Sequence, residues 1–260
     1  MLSGGFGHNA GPDYRRDANK NVPFSGGRTT KVCGRINLWV SPADLTEMFE
    51  LFREPEWSSR YNIGPMQQVL AVRIKPDGVR LAESLQWGLV PRWAKEPSVG
   101  SHMFNARSDT VTIKPAFREL IHRQRCLIPA NGFYEWQQIN SKLKQPWHIF
   151  RADGQPLVLA GLWEHWQSPD GDILESCTMI TTDANERMAE IHTRMPVILA
   201  KENWNLWLEH HEIAPAVLAE LLRPSPSDWI EMTPVSSLVN SVRNDSPECI
   251  EPVKRVRTLF

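Results

Sequence analysis

The sequence predicts an α+β fold, a mainly antiparallel and curled sheet with a barrel-like core and helices at its periphery, and three observations predict it. Short strand-like runs follow one another directly over 67–87 and 125–181, with Asp77-Gly78, Asp153-Gly154 and Asp170-Gly171 at the turns, dipeptides that suit tight hairpins. The regular strand–helix–strand alternation of a parallel sheet is missing. From residue 33 onward there is no linker, repeat or low-complexity block, so 33–260 reads as one domain, long enough to bury a real core.

Residues 1–32 read as a flexible extension. They hold six of the fifteen Gly, five Lys/Arg against two Asp, and no apolar periodicity. Gly4-Gly5-Phe6-Gly7 is not a phosphate loop, because no strand precedes it and no Gly-Lys-Ser/Thr follows. At Cys33 the texture changes, and Ile36-Asn37-Leu38-Trp39-Val40 alternates as a strand does.

Ser41-Pro42-Ala43-Asp44 starts a helix, with Ser as N-cap, Pro in the first turn and Asp near the positive end of the dipole. Leu45, Met48, Phe49 and Phe52 mark its apolar face. Tyr61-Asn62-Ile63-Gly64-Pro65 reads as a turn leading into a strand at 67–74, which pairs with 79–87. Further strands are expected at 125–128, 132–138, 146–151, 156–165 and 174–181. Helices are expected at 115–123, 184–190, 201–209 and 214–222.

Composition narrows the function classes. Net charge is −1, so a polyanion must be met by a local basic patch. Cys33, Cys126, Cys177 and Cys249 show no CxxC pair and no zinc-like Cys/His spacing. The last three read as reduced, buried thiols of a cytoplasmic protein with no metal and no cofactor. No apolar run reaches membrane-spanning length, and no signal-peptide stretch opens the chain. Eleven tryptophans serve core packing or stacking on a flat ligand such as a nucleobase.

Four segments place reactive groups beside aromatics, Gly or Pro: Cys33-Gly34-Arg35, Phe104-Asn105-Ala106-Arg107-Ser108, Asn131-Gly132-Phe133-Tyr134-Glu135-Trp136 and Ile191-His192-Thr193-Arg194-Met195-Pro196. Period two puts Phe133 and Glu135 on one strand face, Tyr134 and Trp136 on the other. Glu135 is then either a solvent-facing carboxylate or a proton-transfer group with a raised pKa in an apolar pocket. His192 is either held by backbone or an acid–base group. Cys33 is either an ordinary thiol or a future N-terminus, where a free amine and a thiol lie two carbons apart.

As a set, these segments resemble the SOS-response-associated peptidase (SRAP) family, whose members are abasic-site processing proteins that shield and crosslink DNA. Arg60-Tyr61-Asn62-Ile63-Gly64-Pro65, Trp87-Gly88-Leu89-Val90-Pro91-Arg92-Trp93, Asn105-Ala106-Arg107-Ser108-Asp109-Thr110 and Cys126-Leu127-Ile128-Pro129-Ala130 carry the resemblance with them. So do the closing Pro234-Val235-Ser236 and Val239-Asn240. The motifs keep the family's order and cover about all of 33–260, implying a single SRAP-like domain.

The resemblance implies a partner, single-stranded DNA containing abasic sites, met by a monomer in the cytoplasm or on the nucleoid. Cys33 would be the covalent nucleophile: its α-amine condenses with the open-chain sugar aldehyde, and its thiol closes a thiazolidine. Asn105 would orient the sugar or the amine, Glu135 would shuttle protons, and His192 would assist at the ring-opened sugar. Arg35 and Arg107 would clamp phosphates, with Thr181 or Thr182 as a further contact. Asn62 would line the pocket, and Trp93 would stack on a base or hold a duplex open. Autopeptidase and abasic-site lyase activities are the implied accessory reactions. Competing readings are a thiol autopeptidase acting before Cys33 and a non-covalent single-strand nucleic-acid module.

Family members carry the cysteine directly after the initiator methionine, whereas 32 residues precede it here. The expected account is a start assigned too far upstream, with Val32 encoded by GTG. Autoproteolysis between Val32 and Cys33 and retention of the segment are the alternatives.

Overall fold

The computed structural model of the chain describes residues 33–253; the expected extension at 1–32 lies outside them. The first strand is β1 (Ile36–Leu38), followed by helix α1 (Pro42–Phe49). Ser41 caps α1 by accepting from Asp44 N at 3.1 Å. The helix stops where Glu50 turns left-handed at φ 53°. Phe52 therefore lies past the helix and is exposed, which corrects its placement on the apolar face.

Strands β2 (Arg60–Ile63), β3 (Gln68–Ile74), β4 (Arg80–Trp87) and β5 (Asn105–Arg107) come next, then the short helix α2 (Leu120–Arg123). The next strands are β6 (Arg125–Ala130), β7 (Gly132–Gln138), β8 (Lys144–Arg151), β9 (Leu157–Gln167) and β10 (Ile173–Asp183). Helix α3 (Glu186–Ala189), strand β11 (Arg194–Pro196), helices α4 (Trp204–Leu208) and α5 (Pro215–Leu221), and strand β12 (Ile230–Pro234) complete the order.

Strands β10, β4, β3, β6 and β9 pair in a row, and β9 pairs back onto β10, so the five close into a ring. Most pairings are antiparallel; β10 runs parallel to β4 and β5. A second sheet has the order β12-β8-β7-β1-β2. This is the α+β, barrel-like, mainly antiparallel architecture expected from sequence.

Alternation explains how the ring is filled. On β3, Val69 and Ala71 join one core cluster with Cys126, Ile128, Leu159 and Cys177, while Leu70 and Val72 join another with residues of α1, α4 and α5. Strands with an apolar layer on each face bury nearly every residue. The ring is packed to its backbone: a Cβ on Gly161 would stand 2.8 Å from Cys126 Sγ. All four cysteines are free and buried.

Two further expectations change. Residues 60–63 form an edge strand rather than a turn, because Asp245 Oδ1 accepts from Tyr61 N (2.6 Å) and Asn62 N (2.9 Å) and so substitutes for a neighbouring strand. Of the helix expected at 115–123 only the last turn is α-helical. No described helix is long and apolar enough to cross a membrane.

Candidate active site

Cys33, Glu135 and Asn105 converge from three segments. Residue 36 pairs with Phe133, which carries the start of the described chain past β7 and sets Cys33 against Glu135. Period two on β7 turns Phe133 and Glu135 into the core shared with Cys33, while Tyr134 and Trp136 face a separate small cluster. The face assignment made from sequence holds.

Cys33 N donates to Glu135 Oε1 at 2.5 Å, and Asn105 Nδ2 donates to Cys33 O at 3.4 Å. Cys33 is fully buried, and its φ of 44° is unusual for a residue with a Cβ; such a conformation costs roughly 1–2 kcal/mol. Glu135 is only 3% exposed. Burial raises its pKa to about 7, against the lowering effect of hydrogen bonds from Cys33 and Trp136 and the charge of Lys144. Desolvation is the dominant cause. The result is a carboxyl that exchanges its proton near neutral pH.

Burial and the Glu135 charge push the Cys33 thiol well above the usual range, and the Arg194 guanidinium pulls it back. Arg194 is a site residue to which sequence reasoning gave no role. It sits on β11, 8% exposed, donating to Asp183 Oδ1 (2.9 Å), Thr181 O (2.6 Å) and Thr181 Oγ1 (3.3 Å). The available signal was a charge standing directly before the apolar run Met195-Pro196-Val197-Ile198-Leu199.

His192 is partly buried, and its Nδ1 accepts from Arg194 N at 3.1 Å, which leaves the proton of the neutral ring on Nε2. Burial lowers its pKa, as do the Lys144 and Arg194 charges, against the hydrogen bond from Arg194 N. Lys144 acts on both His192 and Glu135, which ties the two to one neighbourhood.

The expected DNA contacts divide. Arg107 is exposed on β5 and held by Asp109 through Nε (3.0 Å) and Nη2 (2.6 Å). Trp93 is 61% exposed, so it is no core residue. Asn62 does not line an open pocket: it is fully buried, and Nδ2 donates to the carbonyls of Ser241 (2.9 Å) and Asn244 (2.7 Å). Its Oδ1 receives Arg35 Nη1 at 2.9 Å, and the same nitrogen reaches Val239 O at 2.7 Å. Arg35 is thus partly committed to bracing the 239–245 segment and lies over Trp136. Thr181 and Thr182 are 2% and 5% exposed. Thr181 supports Arg194 instead of offering a surface. No group of three or more His, Cys, Asp or Glu among the described residues is placed to hold a metal.

A closed five-stranded ring, with a buried thiol and a near-neutral carboxyl on the sheet beside it and an arginine on the strand paired to β10, defines a small β-barrel protein with a candidate thiol–carboxylate site. The family model described as SOS response associated peptidase (SRAP) matches residues 32–242, and the chain belongs to that family. Abasic site processing protein YoqW of Bacillus subtilis (strain 168) is 43% identical over 223 residues, covering 85% of this chain and 99% of the relative. Abasic site processing protein HMCES of Gallus gallus is 36% identical over 236 residues, covering 79% and 69%. A crystal structure of a protein from Bacteroides thetaiotaomicron shares the fold at a TM-score of 0.77 with 23% identity, over 85% of this chain and all of the other. A Bordetella bronchiseptica protein does so at 0.68 with 27% identity, over 78% of this chain and all of the other.

Proposed function

We propose that this chain processes abasic sites in single-stranded DNA by forming a covalent link through Cys33, acting as a monomer in a form whose first residue is Cys33. One observation carries the reading: the Cys33 nitrogen lies 2.5 Å from a buried carboxyl with a pKa of about 7. In a chain beginning at Cys33 that nitrogen is the α-amine, with an ordinary pKa of roughly 8 that leaves a neutral fraction at pH 7.

The amine adds to C1′ of the open-chain deoxyribose to give a carbinolamine. Glu135 donates a proton to the departing hydroxyl, water leaves, and an imine remains. The Cys33 sulfur then adds to the imine carbon, its proton passes to the ring nitrogen through Glu135, and a five-membered thiazolidine closes. One water is lost overall and nothing is oxidised or reduced. Asn105 holds the Cys33 carbonyl, His192 serves the sugar hydroxyl through Nε2, and Arg194 favours the thiolate, the nucleophilic form. Arg107 clamps a phosphate when it leaves Asp109, and Trp93 stacks on a flanking base.

The test uses a protein beginning at Cys33, mixed with abasic and intact single strands and run on a denaturing gel. A band resistant to denaturation is expected with abasic DNA alone, and none with Cys33→Ala. An equally durable band from Cys33→Ala overturns the mechanism. Equal binding to both strands with no surviving species supports a non-covalent module instead.

A second activity, cleavage of the Val32–Cys33 bond, is favoured by the left-handed φ of Cys33 and by Glu135 at the departing nitrogen. Intact mass after expression of the full chain should show loss of residues 1–32, and Glu135→Gln should leave the chain uncut. A wild-type chain that keeps its full mass rules out self-cleavage.

A further inference from the structure

The face of the second sheet turned away from Glu135 carries a cavity of about 290 Å³. Its walls are aromatic. Trp39 stacks on Tyr61 with centroids 5.4 Å apart and 14° between the rings. His148 and Phe150, two residues apart on β8, stack at 5.2 Å and 24°, and Trp39 meets His148 at 6.2 Å. Asn131, Gln155 and Thr233 bring polar side chains to the same cavity.

The histidine wall is built into the sheet. Gly132 lies beneath it, where a Cβ would stand 2.2 Å from His148 Nε2 and 2.5 Å from Ile149 O. Asn37 Nδ2 lies 3.0 Å from the same nitrogen, so Nε2 accepts and the ring proton sits on Nδ1. Burial lowers the His148 pKa to about 4, which keeps the ring uncharged at physiological pH. The wall thus offers an apolar, π-stacking surface and attracts no anion.

The geometry points to a binding pocket for a single nucleobase, held against the rims of Trp39 and Phe150, with His148 as the floor that the two rings share and the base edge toward Asn131, Gln155 and Thr233. Small-molecule sites run from about 300 Å³ upward, so this cavity takes one ring system and not a dinucleotide. Amide and hydroxyl side chains complement the paired donors and acceptors of a base edge. A polyphosphate is disfavoured, because Arg151 in the lining is paired with Asp153 at 2.9 Å and lies over Trp229. A wider cleft shares Trp39, Asn131, Gly154 and Gln155 and continues past Lys201, giving the sugar an outward path. The base comes either from a free nucleoside or from an unpaired position in a strand running round the molecule. The inference is independent of the covalent reading, since it uses neither Cys33 nor Glu135 nor Asn105.

The test titrates the full-length chain with adenosine, guanosine, cytidine and thymidine by calorimetry. These nucleosides carry no free aldehyde, so failure of the Cys33 chemistry does not affect the result. A second arm irradiates an intact single strand carrying 5-iododeoxyuridine and maps the adducts by mass spectrometry. Saturable one-to-one binding of a nucleoside supports a free ligand; adducts on Trp39 or Phe150 without nucleoside binding support a base within a strand. Trp39→Leu should weaken either signal at least about tenfold, and Thr233→Val, which keeps the shape and removes the hydroxyl, should weaken it less. Absence of both signals overturns the pocket, as does a signal that Trp39→Leu and Thr233→Val both leave unchanged.

Discussion

Glu135 and His148 sit on neighbouring strands of one hairpin, one position apart in register and on opposite faces: Glu135 opposes Trp147, and Tyr134 opposes His148. Both are nearly sealed from solvent, at 3% and 6% exposure. Desolvation acts on each in the direction that favours the neutral form, raising the carboxyl to about 7 and lowering the imidazole to about 4. The same physics gives different equipment. The acid is brought to physiological pH, where it can both give and take a proton, while the base is taken out of that range and becomes a flat packing surface. Only the face holding Cys33 is poised for proton transfer.

The largest expected effect breaks the reactive face. Glu135→Gln preserves the shape and an acceptor for the Cys33 nitrogen but cannot move a proton. The rate of crosslinking to abasic single strands, followed by quenched denaturing gels, should fall by roughly 10²–10⁴-fold. A rate within about threefold of wild type would remove Glu135 from the proton-transfer role.

The next effect sets the two faces against each other through stability. The Glu135 contribution is fully present below about pH 4.5, its ordinary value, and is lost as pH rises to about 7. The His148 contribution is fully present above about pH 6.5 and is lost as pH falls to about 4. Each amounts to something on the order of 3 kcal/mol, and between pH 4.5 and 6.5 they oppose one another. Relative to wild type, Glu135→Gln should gain stability as pH rises from 4.5 to 7, and His148→Gln should gain it as pH falls from 6.5 to 4. Urea midpoints measured across that range check both slopes. Parallel curves for all three proteins would mean that burial does not set either pKa.

A smaller effect isolates the back face. Gly132→Ala places a methyl against His148 and Ile149 O, and such overpacking costs roughly 1–3 kcal/mol. Chemical denaturation should show this loss, while the crosslinking rate per folded molecule stays close to wild type. A matching fall in rate would show that the two faces are coupled through β7.

How far these faces were legible depends on how local their causes are. The pairing of Phe133 with Glu135 and of Tyr134 with Trp136 follows from strand period alone, and it survived. So did the helix start at Ser41, since its cap lies three residues away. The strand at 60–63 was read as a turn because its backbone is held by Asp245, some 180 residues along the chain, and no local pattern announces that partner. The same distance hid Asn62: its amide is spent on the 239–245 segment, so a residue in a recognisable motif serves as scaffold. Arg194 escaped notice because its effect on Cys33 exists only after β10 and β11 pair. The back-face cavity left only the general signal of many tryptophans, since Trp39 just past β1 and His148 and Phe150 on β8 are brought together only when the sheet aligns them.

Arg194 gives the finest discrimination between a residue that shapes the reactive face and one that merely borders it. Burial and the Glu135 charge both raise the Cys33 thiol, and Arg194 opposes them. Removing the cation in Arg194→Gln should raise the thiol further, reducing the thiolate available for ring closure while leaving imine formation intact. Crosslinking at pH 7 should fall about tenfold, the size expected for a shift of one pKa unit. The thiol stays well above its usual range in both proteins, so the deficit should hold from pH 7 to 9, and burial of the pair should keep it nearly independent of salt. If Arg194 acted only by holding DNA phosphate, the deficit would depend on salt. A salt-dependent loss would therefore move Arg194 from the chemistry of Cys33 to the grip on the strand.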